Sequence, residues 1–105
     1  MPPRAVRVYA CAAPVDMRRG FDGLSALVEQ QLGGQLLTGD VFLFVGSSRK
    51  RAKVLYFDGT GLVLVTKRLY RGRFARPWAP GGAASVELTT SELSLFLEGC
   101  ELAGR

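Results

Sequence analysis

The residues of this chain most suited to chemistry are its cations. Nine of the fourteen Lys and Arg side chains fall between Ser47 and Arg76: Arg49, Lys50, Arg51, Lys53, Lys67, Arg68, Arg71, Arg73 and Arg76. Asp58 is the one acid among them, so the stretch carries a formal charge of +8. Residues 1–46 hold four basic and four acidic side chains, and residues 77–105 set Arg105 against Glu87, Glu92, Glu98 and Glu101. The net +5 therefore hides a polarised molecule. The chemistry such a block performs is polyanion binding, with nucleic acid the first candidate. Arginine suits phosphate because its planar fork donates two parallel hydrogen bonds. Tyr70, Phe74 and Trp78 interleave with the cations, and aromatics so placed can stack on unpaired bases. The plainer alternative is a solvated basic face with Phe74 and Trp78 in the core.

A second compact, charge-mixed run is Asp16-Met17-Arg18-Arg19-Gly20-Phe21-Asp22-Gly23-Leu24. Asp16 is placed to pair with Arg18 or Arg19, Phe21 to staple a helix start, and Asp22 to cap it. Arg18 and Arg19 are equally open to extending the basic surface.

Catalysis has little to work with. There is no histidine, no GxSxG and no Cys-His pair, so no nucleophile–base set is visible. Asp16 and Asp58 are the conceivable active-site acids, both near turns, but general acid–base or metal chemistry needs carboxylates that converge. Asp58-Gly59-Thr60-Gly61 lacks the P-loop spacing and has no helix after it, so it reads as a turn rather than a phosphate cradle. With two cysteines, no CxxC and no histidine, a structural zinc site is not expected. Cys11 and Cys100 are expected to be reduced and packed as small hydrophobes. The expectation is a protein that is not an enzyme and uses no cofactor.

The elements that position these residues follow from periodicity. Val6–Ala10 reads as a short strand. A helix follows, with Asp22 as N-cap, Leu24, Leu27, Val28 and Leu32 at helical spacing, and Gly33-Gly34 as its stop. Asp40–Gly46, Lys53–Asp58 and Leu62–Leu69 read as three strands, joined by the basic turn Ser47–Arg51 and the tight turn Asp58–Gly61. Two short turns between consecutive strands predict an antiparallel meander. The first two of its strands are apolar on both faces, so helices cover one face, and a partner or the chain's own loops part of the other. Tyr70–Ala84 is loop-like, Ser85–Leu88 a brief edge strand, and Thr89–Leu102 a second helix opened by a Thr89/Glu92 capping box. Leu93, Phe96 and Leu97 supply its apolar face, widened by Leu95 and Cys100. In this up-down-up order the basic turn and the far end of the third meander strand share one end of the sheet, so the two cation clusters can form one patch.

At 105 residues the chain is long enough for one core, and 48% hydrophobic content fits a folded protein. Residues 1–105 are read as a single domain. Arg4, Arg7, Pro14 and Asp16 interrupt the N-terminal apolar residues, so no signal peptide is expected. No segment approaches the roughly 20 apolar residues that span a bilayer. A cytoplasmic protein without membrane association is the expectation.

Three ordered motifs carry a family resemblance: VDMRRGFDGLSALV (Val15–Val28), VFLFVGSSRKRAKVLYFDGTGLVLVTKRL (Val41–Leu69) and RGRF (Arg71–Phe74). Together they resemble the TnpB accessory proteins, or Orf2-like family, of IS66-type insertion sequences, over about Val8 to Glu98. The matching positions are Asp16, Arg18, Arg19, Gly20, Phe21, Asp22 and Gly23; Lys53, Asp58, Gly59 and Gly61; Lys67, Arg68, Gly72, Arg73 and Phe74. Departures are Phe57 where the family often has Trp, a basic turn without its common Asp, and the altered order Arg76-Pro77-Trp78. The resemblance implies a small bacterial protein encoded beside a separate DDE-type transposase and required for transposition, with no catalytic residues of its own.

The expected fold is α+β: an antiparallel β-meander with two helices packed on one face. The expected function is a non-catalytic accessory factor for DNA transposition. Its DNA contacts would come from Arg49, Lys50, Arg51, Lys53, Lys67, Arg68, Arg71, Arg73 and Arg76, joined by Arg18 and Arg19. The alternative is an adaptor that holds the transposase without touching DNA, anchored by exposed Tyr56, Phe57, Tyr70, Phe74 and Trp78.

Overall fold

Strand β2 (Val41–Val45, VFLFV) shows why the chain folds into three layers. Five consecutive apolar residues cannot alternate between core and water, so both faces of this strand must be covered. In the computed structural model, which describes residues 6–78 and 81–99, both are. Phe42 and Phe44 join Leu24, Leu27, Val28, Leu36 and Leu55 on one side. Leu43 and Val45 join Ala10, Ala52, Val54, Phe74 and Phe96 on the other. Phe42, Leu43, Phe44, Val45, Leu24, Val28, Leu55 and Phe74 are each 1% exposed or less. Each such Val, Leu or Phe contributes roughly 1.5–3 kcal/mol by leaving water.

The strands are β1 (Val8–Cys11), β2, β3 (Arg51–Phe57), β4 (Leu62–Arg68) and β5 (Ser85–Leu88), and the helices α1 (Phe21–Gln30) and α2 (Thr90–Leu97). A short 3-10 turn, Leu36–Thr38, precedes β2. The sheet order is β4-β3-β2-β1-β5. The meander β2-β3-β4 is antiparallel as expected, with Phe42 opposite Leu55 and Val54 opposite Val65. The sheet as a whole is not: β1 runs parallel to β2, with Val8 opposite Val41, so it is mixed. The physical reason is the long segment 12–40 between them, which contains α1 and supplies the crossover that parallel neighbours require. β5 closes the far edge antiparallel to β1.

The expectation that both helices share one face also fails. Leu24, Leu27 and Val28 of α1 lie in one core cluster and Phe96 of α2 in the other. The second face, left open for loops or a partner, is covered by α2 and by the segment after β4, where Phe74 stacks on Phe96 with ring centroids 5.4 Å apart.

Several local expectations shift by a turn. The N-cap of α1 is Gly20, and Asp22 lies in the first turn, where its charge complements the helix dipole. Phe21 is 47% exposed and stands outside both core clusters rather than stapling the helix start. The capping box of α2 is present: the Glu92 N–H donates to Thr89 Oγ1 (3.0 Å) and the Thr89 N–H to Glu92 Oε1 (2.8 Å). That helix stops at Leu97 rather than continuing to Leu102, and buried Gly99 follows at φ +77°, a left-handed C-terminal cap. Gly99 also meets the Leu69 side chain, where an added Cβ would lie 2.9 Å from it. Leu95, expected on the apolar face, is 62% exposed. Cys11 is buried with a free thiol; Cys100 lies outside the described residues.

Candidate nucleic-acid interface

Both parallel strands, β1 and β2, end at the same end of the sheet. In α/β sheets the crevice beyond such carboxyl ends is where ligands bind. Here β1 exits into Pro14–Met17, which lies along the end of β2: the Val15 N–H donates to the Val45 carbonyl (3.0 Å). β2 exits into the basic turn 46–51, closed by the Gly46 N–H donating to the Arg51 carbonyl (3.1 Å). Arg49 occupies this turn at φ +60°, a left-handed conformation unusual outside glycine. The end of β4 and the loop after it fold back onto the turn. The Leu69 N–H donates to the Lys50 carbonyl and the Phe74 N–H to the Arg49 carbonyl, both at 2.8 Å. Three chain segments distant in sequence thus converge.

Between them runs an open cleft of ≈ 770 Å³ whose cations are Lys50, Arg51 and Arg68, with Tyr70 at one wall and Asp16 at another. A second depression of ≈ 480 Å³ carries Arg49, Lys50, Arg73, Arg76 and Trp78. The two share Pro14, Ser47, Ser48 and Lys50 and so form one continuous surface around the basic turn. The register places Arg51 directly opposite Arg68. Like charges facing each other across a ladder are destabilising, and among the described residues neither forms an ion pair with an acid. Among the described residues the side chains of Lys50, Arg51, Arg68, Arg71, Arg73 and Arg76 form no hydrogen bond or ion pair. All six are exposed.

The remaining cations have structural partners. Lys53 and Lys67 sit on opposite faces of the sheet, Lys53 facing Thr66 and Lys67 facing Ala52 in register. Lys53 Nζ donates to the Arg19 carbonyl (2.7 Å), fastening the loop before α1. Lys67 Nζ donates to the Leu97 carbonyl at the end of α2, where a cation complements the helix dipole. Arg19 donates to the Gly23 carbonyl (3.4 Å). Arg49, half-buried, reaches the Phe74 carbonyl (3.4 Å). Arg18 grips Asp16 with Nη2 2.8 Å from Oδ2 and Nε 3.1 Å from Oδ1, while its backbone N–H also donates to Oδ1 (2.9 Å). The side-chain bonds from Arg18, then the backbone bond, lower the Asp16 pKa from 3.8 to about 2. The carboxylate in the cleft wall is therefore ionised and already neutralised by its own arginine.

Asp58 is engaged in its turn. Its Oδ1 accepts from the Thr60 and Gly61 N–H groups at 2.9 and 3.0 Å and from the Thr60 hydroxyl at 3.1 Å, which lowers its pKa. It follows β3 at the end remote from the basic turn. Seven residues of strand separate the two ends, roughly 20 Å, so Asp16 and Asp58 do not converge. Among the described residues no group of His, Cys, Asp or Glu is gathered that could hold a metal ion.

Of the aromatics interleaved with the cations, Phe74 is wholly buried, whereas Tyr70 is 95% exposed. Tyr56, Phe57 and Trp78 are half-buried. Pro14, Met17, Ser47 and Ser48 also line the surface. Sequence reasoning missed them; the signal was that residues just after a first parallel strand face the turn after the second.

No helix among the described residues is long and apolar enough to cross a membrane. No solved structure matches the chain. Its curated relatives include two proteins of Sinorhizobium fredii. One, named uncharacterized protein y4hO, is 42% identical over 91% of this chain and 82% of its own length. The other, uncharacterized protein y4jC, is 37% identical over 95% and 84% respectively. The family described as IS66 Orf2 like protein matches residues 6–105, which include the whole cation-lined surface and the three segments that build it. The chain therefore belongs to the IS66 Orf2-like family, associated with insertion-sequence transposition.

Proposed function

We propose that this protein is a non-catalytic accessory factor for transposition, acting as one cytoplasmic domain that binds DNA through the surface around its basic turn. The observation that carries the reading is the Arg51–Arg68 pair. Two arginines face each other on adjacent strands with Lys50 beside them, and the acid in the cleft lining, Asp16, is paired with Arg18. A fold that keeps such a repulsive pair at the mouth of a cleft gains from it when a polyanion arrives. Arg73 and Arg76 extend the same surface. Arg71 is exposed nearby, while Arg18, Arg19, Lys53 and Lys67 act mainly by holding loops and helices in place.

Of the five residues of the adaptor's apolar anchor, Phe74 is buried, Tyr56, Phe57 and Trp78 are half-buried and Tyr70 alone is exposed, which favours this reading over the transposase adaptor. Binding to duplex and single-stranded DNA, followed by mobility shift or anisotropy across a salt series, tests the proposal. Five phosphate contacts, from Lys50, Arg51, Arg68, Arg73 and Arg76, give a slope of log K against log salt of roughly −4 to −5 on duplex and about −3.5 on single strands. An affinity that is flat between low and moderate salt would refute it.

A further inference from the structure

We propose that the cleft prefers unpaired DNA and that Tyr70 is the platform on which one exposed base stacks. This deepens, and rests on, the reading that the surface binds DNA.

Tyr70 is 95% exposed, lines the larger cleft beside Arg51 and Arg68, and makes no ring–ring stack among the described residues. An exposed tyrosine alone is ordinary in proteins; its setting distinguishes this one. The loop that carries it is pinned on both sides, by the Leu69 N–H to the Lys50 carbonyl and the Phe74 N–H to the Arg49 carbonyl. Phe74, just beyond, is locked into the core against Phe96. The ring is thus presented from a fixed base, so little backbone freedom is lost on binding. At the other end of the continuous surface, Trp78 lines the smaller depression beside Arg73 and Arg76 while packing against the core.

Cations between two aromatics match the pattern of single-strand binding: a positive groove follows the backbone and ring faces take the bases. In a duplex the base faces are covered by their neighbours and Tyr70 has nothing to stack on. The clefts, ≈ 770 and ≈ 480 Å³, have room for unpaired nucleotides.

The test is fluorescence anisotropy with a labelled single strand and with the duplex of the same sequence, using the full chain and its Tyr70→Ala and Tyr70→Phe variants. The single strand is expected to bind more tightly than the duplex. Tyr70→Ala should weaken single-strand binding about 5- to 150-fold, the loss of one base–aromatic stack. Tyr70→Phe should retain it, and duplex binding should be unchanged in both. Equal affinity for the two DNAs, no effect of Tyr70→Ala, or an equal loss on both DNAs would overturn the stacking role while leaving the cation surface standing. No binding of either DNA would overturn the underlying reading as well. Circular dichroism of Tyr70→Ala should match the parent, since the side chain is outside the core.

Discussion

Reversing the charge of Arg51 and of Arg68, singly and together, separates stability from binding in a way that few other substitutions would. The two residues face each other across β3 and β4. Guanidinium charges roughly 6–8 Å apart in a medium near the dielectric of water repel by about 0.5–0.7 kcal/mol. Arg51→Glu or Arg68→Glu turns that repulsion into an attraction of similar size, whereas the double variant restores a like-charge pair. In a four-member cycle the pair energy enters four times. The coupling is therefore about 2 kcal/mol at low ionic strength and about 1 kcal/mol at 0.15 M salt, where the Debye length is near the separation. The lower β-propensity of Glu and its attraction to Lys50 are single-site effects to first order and cancel in the cycle. Urea denaturation at two salt concentrations measures it. DNA affinity should behave differently, falling in each single variant and furthest in the double, with the salt slope shallower by about 1 for each phosphate no longer neutralised. A coupling of zero at low salt would mean that the side chains lie too far apart to interact, and the argument from a retained repulsion would fail. Affinity tracking stability through the series would equally refute it.

Three further outcomes follow from local geometry. Thr89→Ala removes the Oγ1 acceptor of the α2 capping box, leaving the Glu92 N–H without it, and should cost about 1 kcal/mol in chemical denaturation. Gly34→Ala would put a Cβ 2.7 Å from the buried Phe42 ring, and the overpacking should cost about 1–3 kcal/mol, read as a lowered Tm. Asp16 has a folded pKa of about 2, below its ordinary 3.8. Its contribution to stability is therefore present above about pH 4 and is lost as pH falls through 2. The Tm difference between the parent and Asp16→Asn should be constant near neutrality and vanish toward pH 2. An NMR carboxyl titration with its midpoint near 3.8 would contradict the Arg18 grip.

The legible part of this protein was local. β-Branched and aromatic runs marked β2, β3 and β4, and the Asp58–Gly61 turn and the Thr89/Glu92 box were read as they stand, because each rests on bonds between near neighbours in the chain. The family resemblance was legible too, since its motifs are contiguous. Parallel pairing of β1 with β2 was not, because helical periodicity says that α1 has an apolar face but not where the chain goes after it. For the same reason the sides taken by α1 and α2 were undetermined, although the unbroken apolar run of β2 already required two covers. Lys53 and Lys67 looked like members of one patch, but a strand turns successive side chains to opposite faces, and the hairpin register sends these two apart. Phe74 looked as available as Tyr70 until α2 was set over it. The sequence by itself determined how many cations the protein has and which strands and turns carry them. Tertiary structure decided which of them are unpartnered among the described residues at one mouth of the sheet, because that depends on register and on which carbonyls and carboxylates the folded chain brings within reach.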